Sequence, residues 1–196
     1  MAEIATRRSP AVPSTDWMRA QAVAARFILH GPEAARVAAA PVWGVNFSDQ
    51  ACRALVLGTR ATLWLGPEEY LLLDRADPAN TGDQSTSASS GVAVTAAALE
   101  RALSATAHAL VDISHRQFAL EISGPQAVRI LNGACPLDLD VSEFPVGMCT
   151  RTVLAKAEIV LWRTRTDAFH VEVWRSFGGY VTGLLGEIAR EFYPET

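Results

Sequence analysis

Two segments of the chain repeat the same order of features, and this repeat limits the folds that the sequence can adopt. Residues 118–140 read FALEISGPQAVRILNGACPLDLD, and residues 27–41 read FILHGPEAARVAAAP. Each begins with a short apolar run that predicts a strand, continues with Gly-Pro and then reaches a second proline. Since proline suits the first turn of a helix and cannot continue one, each segment predicts a strand followed by a helix that the later proline ends.

A second pair of matching segments follows the first. Residues 60–74 and residues 158–173 each predict a strand, a polar turn and another strand, and a helical pattern follows each. The sequence therefore predicts an α+β fold built from a duplicated strand–helix–hairpin–helix module. The alternative is a chance recurrence of common elements, because repeat proteins usually need three or more units.

The predicted organisation is one domain over residues 17–196, made of pseudo-repeats at about 27–110 and 118–192. Residues 1–16 predict an extended tail. Residues 77–91 are poor in large apolar side chains and predict a flexible loop, after which a helix starts at Thr95. Residues 17–26 predict one or two helical turns, and residues 152–162 predict one long strand.

Composition excludes several classes of partner. The net charge of -4 gives no basic surface for nucleic acid or for an anionic membrane, and no secretory or membrane-spanning segment is evident. Three widely spaced cysteines indicate reduced thiols and a cytoplasmic location. The hydrophobic fraction of 49% is high for this length and favours a surface that a partner covers.

Candidate catalytic residues occur at three places. Asp112, Ser114 and His115 are too close in sequence to face one another as a triad, so a polar turn in which Asp112 accepts backbone N–H groups is favoured. The carboxylates of Asp138 and Asp140 would face the same way on an extended chain, as an acid–base pair or a cation site, but a solvated loop is favoured.

The third place is Cys149, which Arg151 follows closely. An adjacent guanidinium would lower the pKa of the thiol, whereas a buried cysteine would be inert. No Gly-rich phosphate loop and no pair of histidines at metal-binding spacing is present, so we expect neither a cofactor nor a metal in this chain.

The last helix and the second hairpin supply the predicted interface. Glycines weaken that helix, so a close approach of another backbone, in this chain or in a partner, would explain them. We expect Arg163 and Arg165, in the hairpin turn, and Gly179 and Gly183 to contribute to docking.

Several strings in the sequence carry a resemblance as an ordered set. They are Ser123-Gly124-Pro125-x-Ala127, Cys135-Pro136-Leu137-Asp138-Leu139, Phe144-Pro145-x-Gly147-x-Cys149, Leu154-Ala155-Lys156-Ala157 and Arg175-Ser176-Phe177, with Trp64-Leu65-Gly66-Pro67-Glu68-Glu69 upstream. In these strings the chain resembles the gamma subunits of heterotetrameric sarcosine oxidases, and more distantly the folate-binding domain of glycine-cleavage aminomethyltransferases.

The resemblance implies a non-catalytic subunit of a complex that demethylates sarcosine to glycine. Its partners would be alpha, beta and delta subunits, chiefly alpha, on which the chain would dock. The complex would use FAD, FMN, NAD, tetrahydrofolate and zinc, none of them held by this chain.

Two alternatives stay open. One is the gamma subunit of a related N-methylglutamate dehydrogenase, and the other is a stand-alone folate-binding aminomethyltransferase-like protein. Residues 146–151 keep a glycine and a cysteine, but not in the relation of the Lys-Gly-Cys-x-x-Gly-Gln motif that folate-binding iron–sulfur assembly proteins of the wider superfamily carry. This departure weighs against independent folate chemistry.

Overall fold

Ten strands form two antiparallel sheets within residues 15–75 and 87–193, the parts of the chain that the computed structural model describes. The first sheet contains, in spatial order, β3 (Ala54–Leu57), β4 (Arg60–Gly66), β5 (Glu69–Arg75), β2 (Val23–His30) and β6 (Ala109–Asp112). The second contains β1 (Met18–Gln21), β7 (Gln117–Ser123), β10 (Ala168–Trp174), β9 (Ala157–Arg165) and β8 (Cys149–Leu154). The helices are α1 (Glu33–Trp43), α2 (Ser87–Leu103), α3 (Ala127–Asn132) and α4 (Gly178–Ala189).

The sheets lie face to face, and the helices cover their outer faces. Residues of α1 and α2 share a buried cluster with one face of the first sheet, and residues of α3 and α4 share another with one face of the second. A third cluster joins the two inner faces. The result is an α+β arrangement of four layers, in agreement with the predicted fold class.

Alternation along the strands explains the two-sided burial. Tyr70 and Leu72 of β5 point toward the helices, whereas Leu71 and Leu73 point toward the second sheet. Successive side chains of a strand face opposite ways, so an almost continuous apolar run marks a strand buried on both faces. Each fully buried leucine contributes about 1.5–3 kcal/mol, and these strands therefore hold the layers together.

The two sheets share one strand order. Beginning at the edge, β6–β2–β5–β4–β3 corresponds to β1–β7–β10–β9–β8, with the helix after β2 matching the helix after β7. The order along the chain differs from this spatial order at β1. This strand precedes all strands of the first sheet in the chain, but it pairs with β7 of the second sheet, where Arg19 lies opposite Glu121. Duplication of the module itself stays a prediction.

Pro41 does not end the first helix, contrary to the sequence prediction. It lies inside α1, which continues to Trp43 and ends at Gly44 with φ of 82°. The N–H of Gly44 donates to the carbonyl of Ala40, and a left-handed glycine is a common helix terminus. Pro41 has no backbone N–H to donate, and the helix tolerates this one missing hydrogen bond because it lies near the helix end.

Three other local predictions are corrected. Residues 17–26 form strands β1 and β2 instead of helical turns. α2 begins at Ser87, not Thr95, so the predicted loop at 77–91 ends earlier; its residues up to 86, like residues 1–14 of the predicted tail, lie outside the described residues. A single long strand predicted over residues 152–162 is a hairpin, because Ala155 takes φ of 49° and turns the chain between β8 and β9.

Candidate functional site

A buried cluster of three ionic side chains links the two sheets. Arg26 of β2 donates from Nε to Oε2 of Glu172 on β10 over 2.7 Å, and Nε2 of His170 lies 2.8 Å from Oε1 of the same carboxylate. All three are at least 95% buried. Burial alone raises the pKa of Glu172, but the hydrogen bond from His170 and the charge of Arg26 outweigh it and lower that pKa. The carboxylate therefore stays ionised between the sheets.

The Asp112, Ser114 and His115 segment is the polar turn that the sequence predicts. Oδ1 of Asp112 accepts the backbone N–H of Ser114 at 2.8 Å, and the Ser114 hydroxyl oxygen accepts the N–H of Arg26 at 2.9 Å. His115 is exposed. The serine oxygen thus holds β2 against the turn, and no Ser-His-Asp arrangement forms among these residues.

Asp138 and Asp140 stabilise their own loop. Oδ1 of Asp138 accepts the N–H of Asp140 at 2.9 Å, and Oδ1 of Asp140 accepts the N–H and the hydroxyl of Ser142. These two bonds from Ser142 lower the pKa of Asp140. In the described ranges no group of three metal-binding side chains occurs, and the bonds are those of consecutive Asx turns.

Arg163 lies inside the protein. It belongs to β9, not to the hairpin turn, and is 2% exposed. Its guanidinium donates to the carbonyls of Leu139 at 3.1 Å, Phe144 at 2.7 Å and Thr166 at 2.7 Å. The side chain therefore fixes the loop that contains the aspartates, and any part it plays in docking would act through that loop.

The other predicted interface residues lie on two separate surfaces. Arg165 ends β9 and is 59% exposed, 3.6 Å from Glu121 on the inner face of the second sheet. Gly179 and Gly183 lie on the exposed side of α4, outside that sheet. A Cβ added at either glycine would meet nothing within 4 Å. No close approach within the described parts of the chain explains these glycines.

Three exposed aromatic side chains form a surface that runs from the end of β10 to the first turn of α4, and the sequence analysis did not identify it. Its members are Trp174, Phe177 and Tyr180, which are 41%, 38% and 40% exposed. Phe177 and Tyr180 meet edge to face with ring centroids 6.3 Å apart, and the Arg116 guanidinium lies 4.4 Å from the Trp174 ring centroid. Tyr180 adjoins the exposed glycine face, so the aromatic surface and the glycines are continuous along the helix. The signal in the sequence was aromatics at a spacing of three.

Cys149 is an inert thiol in this fold. Its side chain is buried between the sheets, which raises its pKa to about 12. Arg151 does not activate it, because that guanidinium forms two bonds to Glu69, at 2.7 and 2.5 Å. This pair instead connects β8 to β5. None of the three cysteines, Cys52, Cys135 and Cys149, forms a disulfide.

No helix in the described ranges combines the length and the hydropathy that a membrane-spanning helix needs.

Comparisons with known proteins agree on one family. The family described as "Sarcosine oxidase, gamma subunit family" matches residues 33–191. A curated relative, "Sarcosine oxidase subunit gamma" of Corynebacterium sp. (strain U-96), is 31% identical over 137 residues, which are 70% of this chain and 59% of the relative. A second, from Corynebacterium sp. (strain P-1), is 33% identical over 135 residues. The match thus spans under two thirds of these relatives.

Solved structures extend the comparison over nearly the whole chain. A chain of "Heterotetrameric Sarcosine Oxidase from Corynebacterium sp. U-96 in complex with pyrrole 2-carboxylate" matches with a TM-score of 0.79 and 25% identity, covering 97% of this chain and 98% of that one. Glycine cleavage system aminomethyltransferase T from Bartonella henselae matches with a TM-score of 0.55 and 13% identity, covering 82% of this chain and 42% of that one. The second likeness shows a shared fold alone.

Proposed function

Because this chain belongs to the sarcosine oxidase gamma subunit family, we propose that it is the non-catalytic gamma subunit of a heterotetrameric sarcosine oxidase. The observation that carries the proposal is the structural match over 97% of the chain to a chain from such a heterotetramer. In this role the chain supplies docking area, and the hydride acceptor and electron carriers belong to its partner subunits. The reaction of the complex would be the oxidative demethylation of sarcosine to glycine.

The candidate reactive groups are either bonded within their own turns and loops or buried, and this supports a non-catalytic role. Asp112 and Ser114 hold a turn, Asp138 and Asp140 hold a loop, and Cys149 is buried with a raised pKa. Reactive groups in an active site are instead exposed to a substrate in a cleft and held within hydrogen-bond reach of one another.

Docking in this proposal uses the outer face of α4 and the aromatic surface, with the alpha subunit as the main partner. A glycine inside a helix costs about 1 kcal/mol relative to alanine, and Gly179 and Gly183 recover nothing of this within the described chain. A partner backbone that approaches closely would account for them. Exposed tryptophan and tyrosine are enriched where protein interfaces form.

Co-purification tests the assembly. The tagged chain, expressed with the genes beside its own, is expected to bring down larger subunits as a stable complex with sarcosine-dependent oxidase activity. Isolation of the chain alone as a monomer would refute the gamma subunit role. Activity with N-methylglutamate in place of sarcosine would identify the related dehydrogenase instead.

A pair of matched variants tests the docking face. Gly183→Leu places a large side chain on the exposed face of α4 and is expected to reduce recovery of the complex about tenfold or more, since a bulky residue at a close contact costs several kcal/mol. Gly91→Leu is the control, because Gly91 is also exposed, helical and free of neighbours within 4 Å. Equal recovery of the two variants would place the interface elsewhere.

A further inference from the structure

A cleft of about 110 Å³ lies between the two sheets, beside the buried ionic cluster. Its walls come from both sheets and mix aliphatic with polar side chains. The aliphatic part includes Ile28, Leu65, Leu71, Ile113 and Val160. The charged part includes Arg151, which is paired with Glu69, and the exposed Glu158. An engineered apolar cavity of about 150 Å³ accepts benzene, a molecule of six non-hydrogen atoms. In proportion, the cleft has room for a molecule of about four to five non-hydrogen atoms.

An unpartnered acceptor lines the cleft. Gln117, the first residue of β7, is 9% exposed, and its Oε1 is buried without a hydrogen-bond partner among the described residues. Its strand neighbours Phe118 and Leu120 pack under the helices, so Gln117 faces the other sheet. A buried carbonyl left without a donor costs roughly 1–3 kcal/mol. Such an atom calls for an N–H or O–H donor within the cleft.

The charged side chains that line the cleft define its ligand further. Glu172 also lines it, but the Arg26 guanidinium already neutralises that carboxylate and His170 hydrogen-bonds to it, so Glu172 brings no uncompensated charge to the cleft. Arg116 lies at the outer end, stacked on Trp174, and forms no ion pair with a described carboxylate. The cleft thus offers a buried acceptor on Gln117 and an exposed cationic donor on Arg116.

We propose that this cleft binds a small amino acid or amide without net charge. Its N–H group donates to Oε1 of Gln117, and its carbonyl or carboxylate accepts from the Arg116 guanidinium. The aliphatic walls contact the carbon atoms between. The site does not depend on the proposed role in an oxidase, because all of its residues belong to this chain.

Two probes of equal size test the site. Glycine and N-methylacetamide each have five non-hydrogen atoms, one as a zwitterion and the other uncharged, matching the room in the cleft. Each is titrated into the isotope-labelled full chain while amide spectra are recorded. A saturable shift of the Gln117 side-chain amide is expected with at least one probe, with a dissociation constant on the order of 1 mM. If only one probe binds, the result shows whether the cleft prefers a zwitterion or an uncharged amide.

Paired substitutions locate the binding. Gln117→Met keeps the side-chain length and removes the acceptor, and should weaken binding about tenfold. Gln50→Met is the matched control at an exposed position and should leave binding unchanged. Arg116→Met at the exposed end should also weaken binding, and it tests the site even if Gln117→Met fails to fold.

Two results would overturn the proposal. One is the absence of saturable shifts at Gln117 and Arg116 with both probes, which would leave ordered water as the only occupant. The other is unchanged affinity in both substituted proteins, which would place any binding elsewhere. Co-purification decides the oxidase role separately, so failure of one proposal leaves the other standing.

Discussion

The buried contact between Arg26 and Glu172 makes a quantitative prediction about stability. Glu172→Gln removes the negative charge and leaves the guanidinium of Arg26, 4% exposed, without a counterion. Breaking a buried ion pair from one side costs about 3–5 kcal/mol. For a chain of this size, 1 kcal/mol shifts Tm by about 2–4 °C. We therefore expect Tm to fall by about 6–20 °C.

A double variant separates the pair from the isolated charge. Arg26→Met with Glu172→Met removes both charges, and replacing a whole buried pair by apolar side chains is often neutral. The double variant should therefore be more stable than Glu172→Gln by at least about 1 kcal/mol. The assay is urea unfolding followed by tryptophan fluorescence, since Trp43 and Trp162 are buried in different layers. A double variant less stable than the single one would refute this account.

The pH dependence supplies an independent check. The pKa of Glu172 is lowered below its ordinary 4.5, so its contribution is present above about that pH and is lost as pH falls through the folded-state pKa. The stability difference between the wild type and Glu172→Gln should therefore shrink in acid. Glu187→Gln is the control, because its pair with Arg190 is exposed and is expected to contribute less than about 1 kcal/mol. A loss below about 1 kcal/mol in Glu172→Gln at neutral pH would also contradict the reasoning.

Three further predictions concern single residues. Gly133→Ala should destabilise the chain by about 1–3 kcal/mol, because the new Cβ would lie 2.7 Å from Cγ2 of Ile188; unchanged urea unfolding would contradict this packing. Gly183→Ala should stabilise the isolated chain by about 0.5–1 kcal/mol, since it adds helix propensity in open space; lower stability would show that the space around Gly183 is not open. Between pH 9 and 12, wild-type stability should fall relative to Cys149→Ala, because the thiol ionises near pH 9 only when unfolded; parallel pH profiles would show an accessible thiol.

Local sequence signals predicted the hairpins and failed where distant contacts decide the structure. The pairs β4–β5 and β9–β10 follow from apolar runs on both sides of polar turns. The turn at Ala155 has no glycine or asparagine to mark it, and the bond from its N–H to the carbonyl of Ala134 helps to hold it. Positive φ at an alanine is a tertiary effect that no local pattern carries.

The strands at the N-terminus were missed for a similar reason. Residues 17–26 are rich in alanine, a strong helix former, but β1 pairs with β7 and β2 pairs with β5 and β6. Long-range pairing overrides a weak local preference.

From the sequence, two of the candidate sites could be recognised as structural turns, but the buried ionic cluster could not be located. The turn at Asp112 and the loop at Asp138 follow from Asx chemistry, which is local. Arg26 and Glu172 are 146 residues apart in sequence, so nothing local connects them. The available signal was a charged residue inside an apolar strand, which needs a buried counterion.

The placement of β1 in the second sheet sets an order of events during synthesis. Arg19 of β1 pairs with Glu121, 102 residues further along the chain, so β1 leaves the ribosome well before its partner strand has been made. At about 5–20 residues per second, the delay is roughly 5–20 s. Trp17 stacks on Tyr193 with ring centroids 6.3 Å apart, so the two ends of the described chain meet. A circular permutant that joins these ends and begins at β2 would make each sheet from a continuous stretch of chain and remove the wait.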